Sequence, residues 1–163
     1  LIGGTMTRID IGRTNKLGYA AVIGMEAYAR RTVDRELFEL LKLRASILNG
    51  CGFCIDMPPS AGAKHGIPQR KLHAVAGWQH AGSLFDDRER AVLALTDAIT
   101  KLGPDTVTDE IWEAAARFFD DGEMGALVLA IATINVWNRI AISTRMDPPA
   151  DGPAQPSRTD AEA

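Results

Sequence analysis

The sequence has no excess of positive charge, no long uncharged apolar run and only two cysteines. Its 18 Lys and Arg residues are outnumbered by 21 Asp and Glu residues, which argues against the basic surface that nucleic-acid binding needs. No apolar stretch reaches about 18 residues without a charge, so we expect no membrane span. The first residues also lack a basic region followed by a long apolar segment. No secretory signal is therefore evident, and we expect a cytoplasmic protein with reduced thiols.

What is present indicates one helical domain. The 163 residues are 46% hydrophobic and 24% charged, which is enough for one domain with a core. Apolar side chains recur at helical spacing, and no segment alternates as a strand does. We predict an irregular segment over residues 1–17, a helical domain over 18–146 and a disordered, Pro-rich tail over 147–163. Residues 1–5 precede a candidate initiator, Met6, and are expected to be a cloning remnant.

Start and stop signals divide this domain into helices. Asp34 and Thr108 are good N-caps, Asp86 with Glu89 resembles a capping box, and Asn49-Gly50 is a stop. The predicted helices span residues 20–31, 36–48, 86–101, 109–119 and 123–144. The last of them is apolar nearly all round, so we expect it at the centre of the fold or against another subunit.

The two cysteines, Cys51 and Cys54, have the spacing C-x-x-C and follow the Asn49-Gly50 break directly. This spacing brings two thiols within disulfide reach across the first turn of a helix. A helix N-terminus favours the thiolate, which is the reactive form of cysteine. The pattern therefore indicates a dithiol redox centre. Two alternatives stay open: an inert apolar pair, or half of a zinc site, for which the sequence has no second C-x-x-C or H-x-x-H.

Glu39 is the second candidate, because apolar residues flank it on both sides within 37–41. A carboxylate in such a setting is expected to be partly desolvated, as proton-transfer carboxylates are. The alternative is a glutamate at the rim of the protein that pairs with Lys42 or Arg35.

Three stretches resemble the alkylhydroperoxidase D (AhpD-like) and carboxymuconolactone decarboxylase superfamily. They are LLKLRASILNGCGFCIDM from Leu40, LHAVAGW from Leu72 with FDDRERAVLALT from Phe85, and INVWNRI from Ile134. The first is far more specific than a bare C-x-x-C, and the resemblance covers about residues 18–146. It implies an all-α, AhpD-like helical bundle that forms homo-oligomers, either trimers or hexamers.

The resemblance also implies an activity and its residues. Active members of the family reduce hydroperoxides with the dithiol, which a protein or a small dithiol reductant then restores, with no cofactor and no metal. By resemblance, Cys54 attacks the peroxide and Cys51 resolves the sulfenic acid into a disulfide. Glu39, twelve residues before Cys51, corresponds to the carboxylate of the proton relay.

Two positions depart from the family pattern. Pro58 stands where the relay histidine is usual, four residues after Cys54, and Phe53 stands where His or Tyr is common. General acid–base help is worth ~10²–10⁴ in rate, so a weakened peroxidase is expected. Solvated or structural roles are expected for the three histidines, His65, His73 and His80.

Two other functions are consistent with these residues. The loss of the imidazole favours a non-catalytic C-x-x-C redox sensor or interaction protein with the same fold. Lactone decarboxylation, the other activity named for the superfamily, does not depend on a cysteine pair, so Cys51 and Cys54 argue against it.

Overall fold

The computed structural model describes residues 7–56 and 66–147. Within these ranges no residue lies in a β-strand, and the predicted all-α fold is confirmed. The α-helices are α1 (Ile11–Thr14), α2 (Lys16–Thr32), α3 (Arg35–Asn49), α4 (described over 52–56), α5 (Gln69–Ala74), α6 (Asp87–Thr100), α7 (Asp109–Ala116) and α8 (Asp121–Thr144). Two short 3₁₀ segments, Val75–His80 and Gly82–Leu84, connect α5 to α6.

The predicted N-caps are confirmed by their hydrogen bonds. The Asp34 side chain accepts from the first turn of α3, and the Thr108 side chain accepts from that of α7. Asp86 and Glu89 form a complete capping box at the start of α6. A second capping box begins at Asp120, so α8 starts two residues earlier than predicted, at Asp121.

The irregular segment predicted over residues 1–17 is wrong in its second half. The Asp10 carboxylate accepts a hydrogen bond from the Arg13 backbone and caps the single turn of α1. Helix α2 then begins at Lys16, four residues before its predicted start, and the added turn is mostly solvent-exposed, with Leu17 89% exposed.

Helix α8 lies at the centre of the bundle, where it packs against α2, α3 and α6. Its central position was expected from its apolar composition, although Leu129 and Ile142 remain 43% and 48% exposed. By length and hydropathy alone α8 would pass as a membrane-spanning helix. Half of its most apolar stretch is buried inside the protein, however, as in the core helices of globular folds.

Helix α3 carries Glu39 and leads directly to the cysteine pair, and it is buried from residue 37 to residue 46. It lies between two apolar clusters: Leu37, Phe38 and Leu41 belong to one, and Leu40 and Leu43 to the other. Charged side chains on this helix are therefore forced into the interior and need partners there.

Gly50 ends α3 with a left-handed backbone conformation, φ 68°, in which its N–H returns to the carbonyls of the last turn. Glycine adopts this conformation without the steric penalty of a side chain. The chain turns at this point, and Cys51 directly precedes the residues of α4.

Three parts of the chain lie outside the described residues: 1–6, 57–65 and 148–163. The expectations for Met6, for the proline at position 58, for His65 and for the C-terminal tail fall there and stay predictions.

Candidate active site

Cys51 and Cys54 are joined by a disulfide across the first turn of α4. Their Cα atoms are 5.3 Å apart, as the C-x-x-C spacing predicted, and the two residues are 2% and 5% exposed. The Cys54 backbone N–H donates to the Cys51 sulfur at 3.3 Å, and the Ile55 N–H donates to the Cys51 carbonyl at 2.9 Å. One N–H of this helix start, that of Cys54, therefore faces the Cys51 sulfur, and such a contact stabilises a thiolate there.

A buried amide network positions the start of α4. The Asn49 side chain donates to Asn135 Oδ1 at 3.0 Å and to Asn138 Oδ1 at 2.8 Å. Asn138 in turn donates to the Ser46 hydroxyl, and Asn135 donates to the Thr100 hydroxyl, both at 3.1 Å. This network ties α3, α6 and α8 together immediately before the cysteine pair. In the sequence, Asn135 and Asn138 interrupt the apolar residues of α8, and their partner Asn49 lies too far along the chain to be predicted from local pattern.

A cavity of about 220 Å³ opens beside Cys54. Its walls are mostly apolar and are built largely from Tyr19, Ile23, Phe53, Ile134, Trp137 and Met146. Among the described lining residues, Glu26 from α2 and Lys42 from α3 are the charged ones. Sequence reasoning assigned no role to Glu26, and it considered Lys42 only as a partner for Glu39.

The charged wall of this cavity is an ion-pair network across α2 and α3. Arg30 donates to Glu26 Oε1 at 2.8 Å, and the Lys42 Nζ lies 3.4 Å from the same oxygen. Burial of the Glu26 carboxyl raises its pKa, but Lys42 and Arg30 outweigh that effect and hold the pKa of Glu26 below its ordinary value. Glu26 is therefore an ionised carboxylate at neutral pH.

Glu39 lies in the same network, one turn before Lys42 on α3. It is 1% exposed, so the alternative of a rim glutamate is wrong and the expected desolvation is confirmed. Its Oε1 is 3.8 Å from Arg30 Nη1, and its buried Oε2 has no hydrogen-bond partner in the described part of the chain. Glu39 does not itself line the cavity among those residues, but Arg30 joins it to Glu26, which does.

Comparison with known proteins identifies the family. Residues 18–98 match the model of the Carboxymuconolactone decarboxylase family. The Bacillus subtilis protein YdfG is 34% identical over 127 residues, which span 77% of this chain and 86% of YdfG. The chain belongs to this family.

Two further relatives carry descriptions that bear on chemistry. A solved structure from Agrobacterium tumefaciens, ATU0492, proposed to be the antioxidant defence protein AhpD, is 32% identical with a TM-score of 0.85. That match covers 90% of this chain and 100% of the other. The alkyl hydroperoxide reductase AhpD of Maricaulis maris is 39% identical over 54 residues, 33% of this chain and 31% of that protein.

Relative to the family pattern, this carboxymuconolactone decarboxylase family member has an apolar wall where an imidazole or a phenol is common. Phe53 lines the cavity beside Cys54. His73 and His80 are both exposed, in agreement with the solvated roles expected for them. The indole Nε1 of Trp137, also in the cavity wall, is buried and has no hydrogen-bond partner among the described residues.

Proposed function

We propose that the chain reduces organic hydroperoxides with the Cys51–Cys54 dithiol. One observation carries this proposal: Cys54 is bonded to Cys51 and also lines the apolar cavity, so the same sulfur meets a substrate and a resolving thiol. The name of the Maricaulis maris relative, an alkyl hydroperoxide reductase, agrees with it.

In the proposed cycle, the Cys54 thiolate attacks the terminal oxygen of the hydroperoxide. The O–O bond breaks, Cys54 becomes a sulfenic acid, and the alkoxide takes up a proton and leaves as an alcohol. The Cys51 thiol then attacks the Cys54 sulfur, and the disulfide forms with release of water. A protein or small dithiol reduces this disulfide and completes the cycle.

Two adjoining depressions, which share Phe53, Ala141 and Met146 in their walls, support the division of roles between the sulfurs. Cys54 lines the cavity of about 220 Å³, whereas Cys51 lines a second depression, of about 320 Å³, beside Gly52 and Arg145. We therefore assign peroxide attack to Cys54, and attack by the external reductant to the Cys51 side of the disulfide.

Glu39 is proposed to serve in proton transfer. Its burial and its unpartnered Oε2 support this role, since such a carboxylate oxygen is free to accept a proton. Homo-oligomerisation is also proposed, and the exposed apolar side chains of Ile23, Met25 and Leu129 on α2 and α8 agree with it. A cytoplasmic location stays a prediction.

A stoichiometric titration tests the proposed function. Fully reduced protein receives a limiting amount of tert-butyl hydroperoxide without reductant, and peroxide and free thiols are followed together. We expect one peroxide to disappear for every two thiols lost, within seconds, while a peroxide-free sample keeps its thiols. Thiols that persist for hours beside intact peroxide would refute the proposal.

The alternative function is a C-x-x-C redox sensor without efficient turnover. Phe53 in the cavity wall and Pro58 in place of the relay histidine favour it, because neither residue transfers protons. Turnover with excess dithiol separates the two functions: a sensor oxidises once and then reduces slowly, whereas a peroxidase consumes many equivalents of peroxide.

A further inference from the structure

We propose that Lys42 donates the proton to the alkoxide that leaves when the O–O bond breaks, and that Glu26 holds its ammonium at the cavity wall. This inference rests on the proposed hydroperoxide reduction and names the group that replaces the family's imidazole. Lys42 would then be a catalytic residue, and Glu26 a positioning residue that acts through it.

The reaction needs such a donor because an aliphatic alkoxide is a strong base and a poor leaving group. Besides the reacting Cys54 and the carboxylate of Glu26, two of the described residues that line this cavity carry an ionisable proton: the Tyr19 phenol and the Lys42 ammonium. Phe53 has none, and the Trp137 indole N–H is a hydrogen-bond donor that does not ionise. Of the two donors, Lys42 is the cation, on the same cavity as the attacking sulfur, so its charge also attracts the negative charge that develops on the leaving oxygen.

Two groups hold the Lys42 ammonium in place, the Glu26 carboxylate and the Phe38 ring. The lysine side chain is only 8% exposed, its Nζ lies 3.4 Å from Glu26 Oε1, and the Phe38 ring centroid is 5.1 Å from Nζ. Lysine is rarely so buried, and burying an ammonium with one loosely placed carboxylate contributes little to stability. A buried cation at a reactive cavity is better explained by chemistry than by packing.

Glu26 does not fit the donor role itself. Its pKa is lowered, so it is ionised at neutral pH and has no proton to give. Its Oε1 accepts hydrogen bonds from both Arg30 and Lys42. These two bonds hold the Glu26 carboxylate, which α2 carries, at the cavity wall. What Glu26 contributes is orientation: it draws the Lys42 ammonium toward α2 and the cavity wall.

The proposed step balances as follows. The Cys54 thiolate bonds to the terminal peroxide oxygen, sulfur is oxidised to the sulfenic acid, and the O–O bond electrons pass to the alkoxide oxygen. The alkoxide takes a proton from the Lys42 ammonium and leaves as the alcohol. Lys42, now an amine, regains a proton from solvent, equal to the one that Cys54 released on forming its thiolate. The lysine ammonium is a far stronger acid than an alcohol, so the transfer is downhill.

The test compares two oxidants whose leaving groups differ in their need for a proton. tert-Butyl hydroperoxide expels an alkoxide, whereas peracetic acid expels acetate, which is stable without a proton. Single-turnover thiol oxidation is measured with each oxidant in the wild type and in Lys42→Met. Lys71→Met is the matched control, because Lys71 also pairs with carboxylates, Glu36 and Glu89, but does not line the cavity described here. Circular dichroism confirms that each variant is folded at the assay temperature.

If Lys42 is the donor, Lys42→Met slows the alkyl hydroperoxide reaction on the order of 10²-fold and the peracetic acid reaction by less than about threefold. Lys71→Met leaves both rates near the wild type. Equal slowing of both oxidants in Lys42→Met would overturn the proposal, because it would mean that Lys42 stabilises the thiolate rather than the leaving group. Unchanged rates with both oxidants would overturn it as well.

A second variant, Lys42→Arg, decides the question if Lys42→Met does not fold. Guanidinium keeps the positive charge beside Glu26 but gives up a proton far less readily. We expect the same selective loss with the alkyl hydroperoxide, at least tenfold, and a wild-type rate there would overturn the proposal. A wild-type protein inert to both oxidants would instead refute the proposed function and, with it, this inference.

Discussion

Helix α3 carries two buried charge clusters, and they differ in how completely they are satisfied. In the first, Arg44 binds Asp97 of α6 through two parallel bonds, of 2.5 and 2.8 Å, and donates to the Ala76 carbonyl at 2.7 Å. The Trp78 indole also donates to Asp97, at 3.2 Å. This bidentate cluster locks α3 to α6 and to the 3₁₀ connection.

The second cluster, one turn earlier on α3, is looser. Lys42 and Glu39 reach their partners at 3.4 and 3.8 Å, and Glu39 Oε2 has no hydrogen-bond partner among the described residues. Native proteins rarely leave buried polar atoms unpaired, and those they do leave need an explanation. The comparison therefore separates a structural cluster from a second one that has an unpartnered carboxylate oxygen and whose members Glu26 and Lys42 line the Cys54 cavity.

The largest expected effect concerns Cys54, whose cavity the second cluster borders. Cys54→Ser should abolish peroxide consumption, because the attacking sulfur is gone, and the assay is peroxide loss with excess dithiol. Cys51→Ser is the matched control: without reductant it should consume one equivalent of peroxide, form a sulfenic acid on Cys54 and stop. Retained turnover in Cys54→Ser would contradict the assignment of the two sulfurs.

The next largest effect concerns the first cluster, and it changes the stability of the fold. Arg44→Met leaves Asp97 without its bidentate partner, so we expect the free energy of unfolding to fall by about 3 kcal/mol in urea titrations. The thiol oxidation rate of the folded fraction should stay unchanged. Adding Asp97→Leu should recover part of the loss, and a large change in thiol reactivity would show that the two clusters are not independent.

Glu39→Gln should show the opposite of Arg44→Met: a slower reaction with little change in stability. It removes the carboxylate proposed for proton transfer, so we expect peroxide reduction to slow by at least about tenfold. Its free energy of unfolding should change by less than about 1 kcal/mol, because one oxygen already lacks a partner and an amide fits the same space. Loss of stability with an unchanged rate would make Glu39 a structural residue like Arg44.

The smallest effect is a pH dependence. The pKa of Glu26 is lowered in the folded state from its ordinary value of 4.5, so the unfolded chain binds a proton there first as the pH falls. The stability contributed by Glu26 is therefore complete above about pH 4.5 and is lost as the pH drops through the folded-state pKa. In urea titrations at a series of pH values, Glu26→Gln should lose less free energy of unfolding than the wild type as the pH falls. A pH dependence identical to that of the wild type would rule out the contribution.

The helical architecture and the pairing of the two cysteines followed from local sequence. The N-caps at Asp34, Asp86 and Thr108 and the stop at Gly50 depend on residues within one helical turn, so the sequence alone indicates them. The same locality applies to the C-x-x-C pair, because a spacing of three residues at a helix start determines the distance between the two Cα atoms. By contrast, α1 and the first turn of α2 were not predicted, since the single turn of α1 is too short to show a helical period.

The surroundings of the thiols were decided by tertiary structure. Glu26 and Lys42 are 16 positions apart on different helices, and they meet at the Cys54 cavity only because α2, α3 and α8 pack together. The burial of Glu39 against Arg30 has the same origin, since the leucines around it predict desolvation but not its partner. Local sequence determined that two sulfurs lie at a helix start, because those interactions span a few residues. Packing between distant helices determined which charges and which apolar walls surround them.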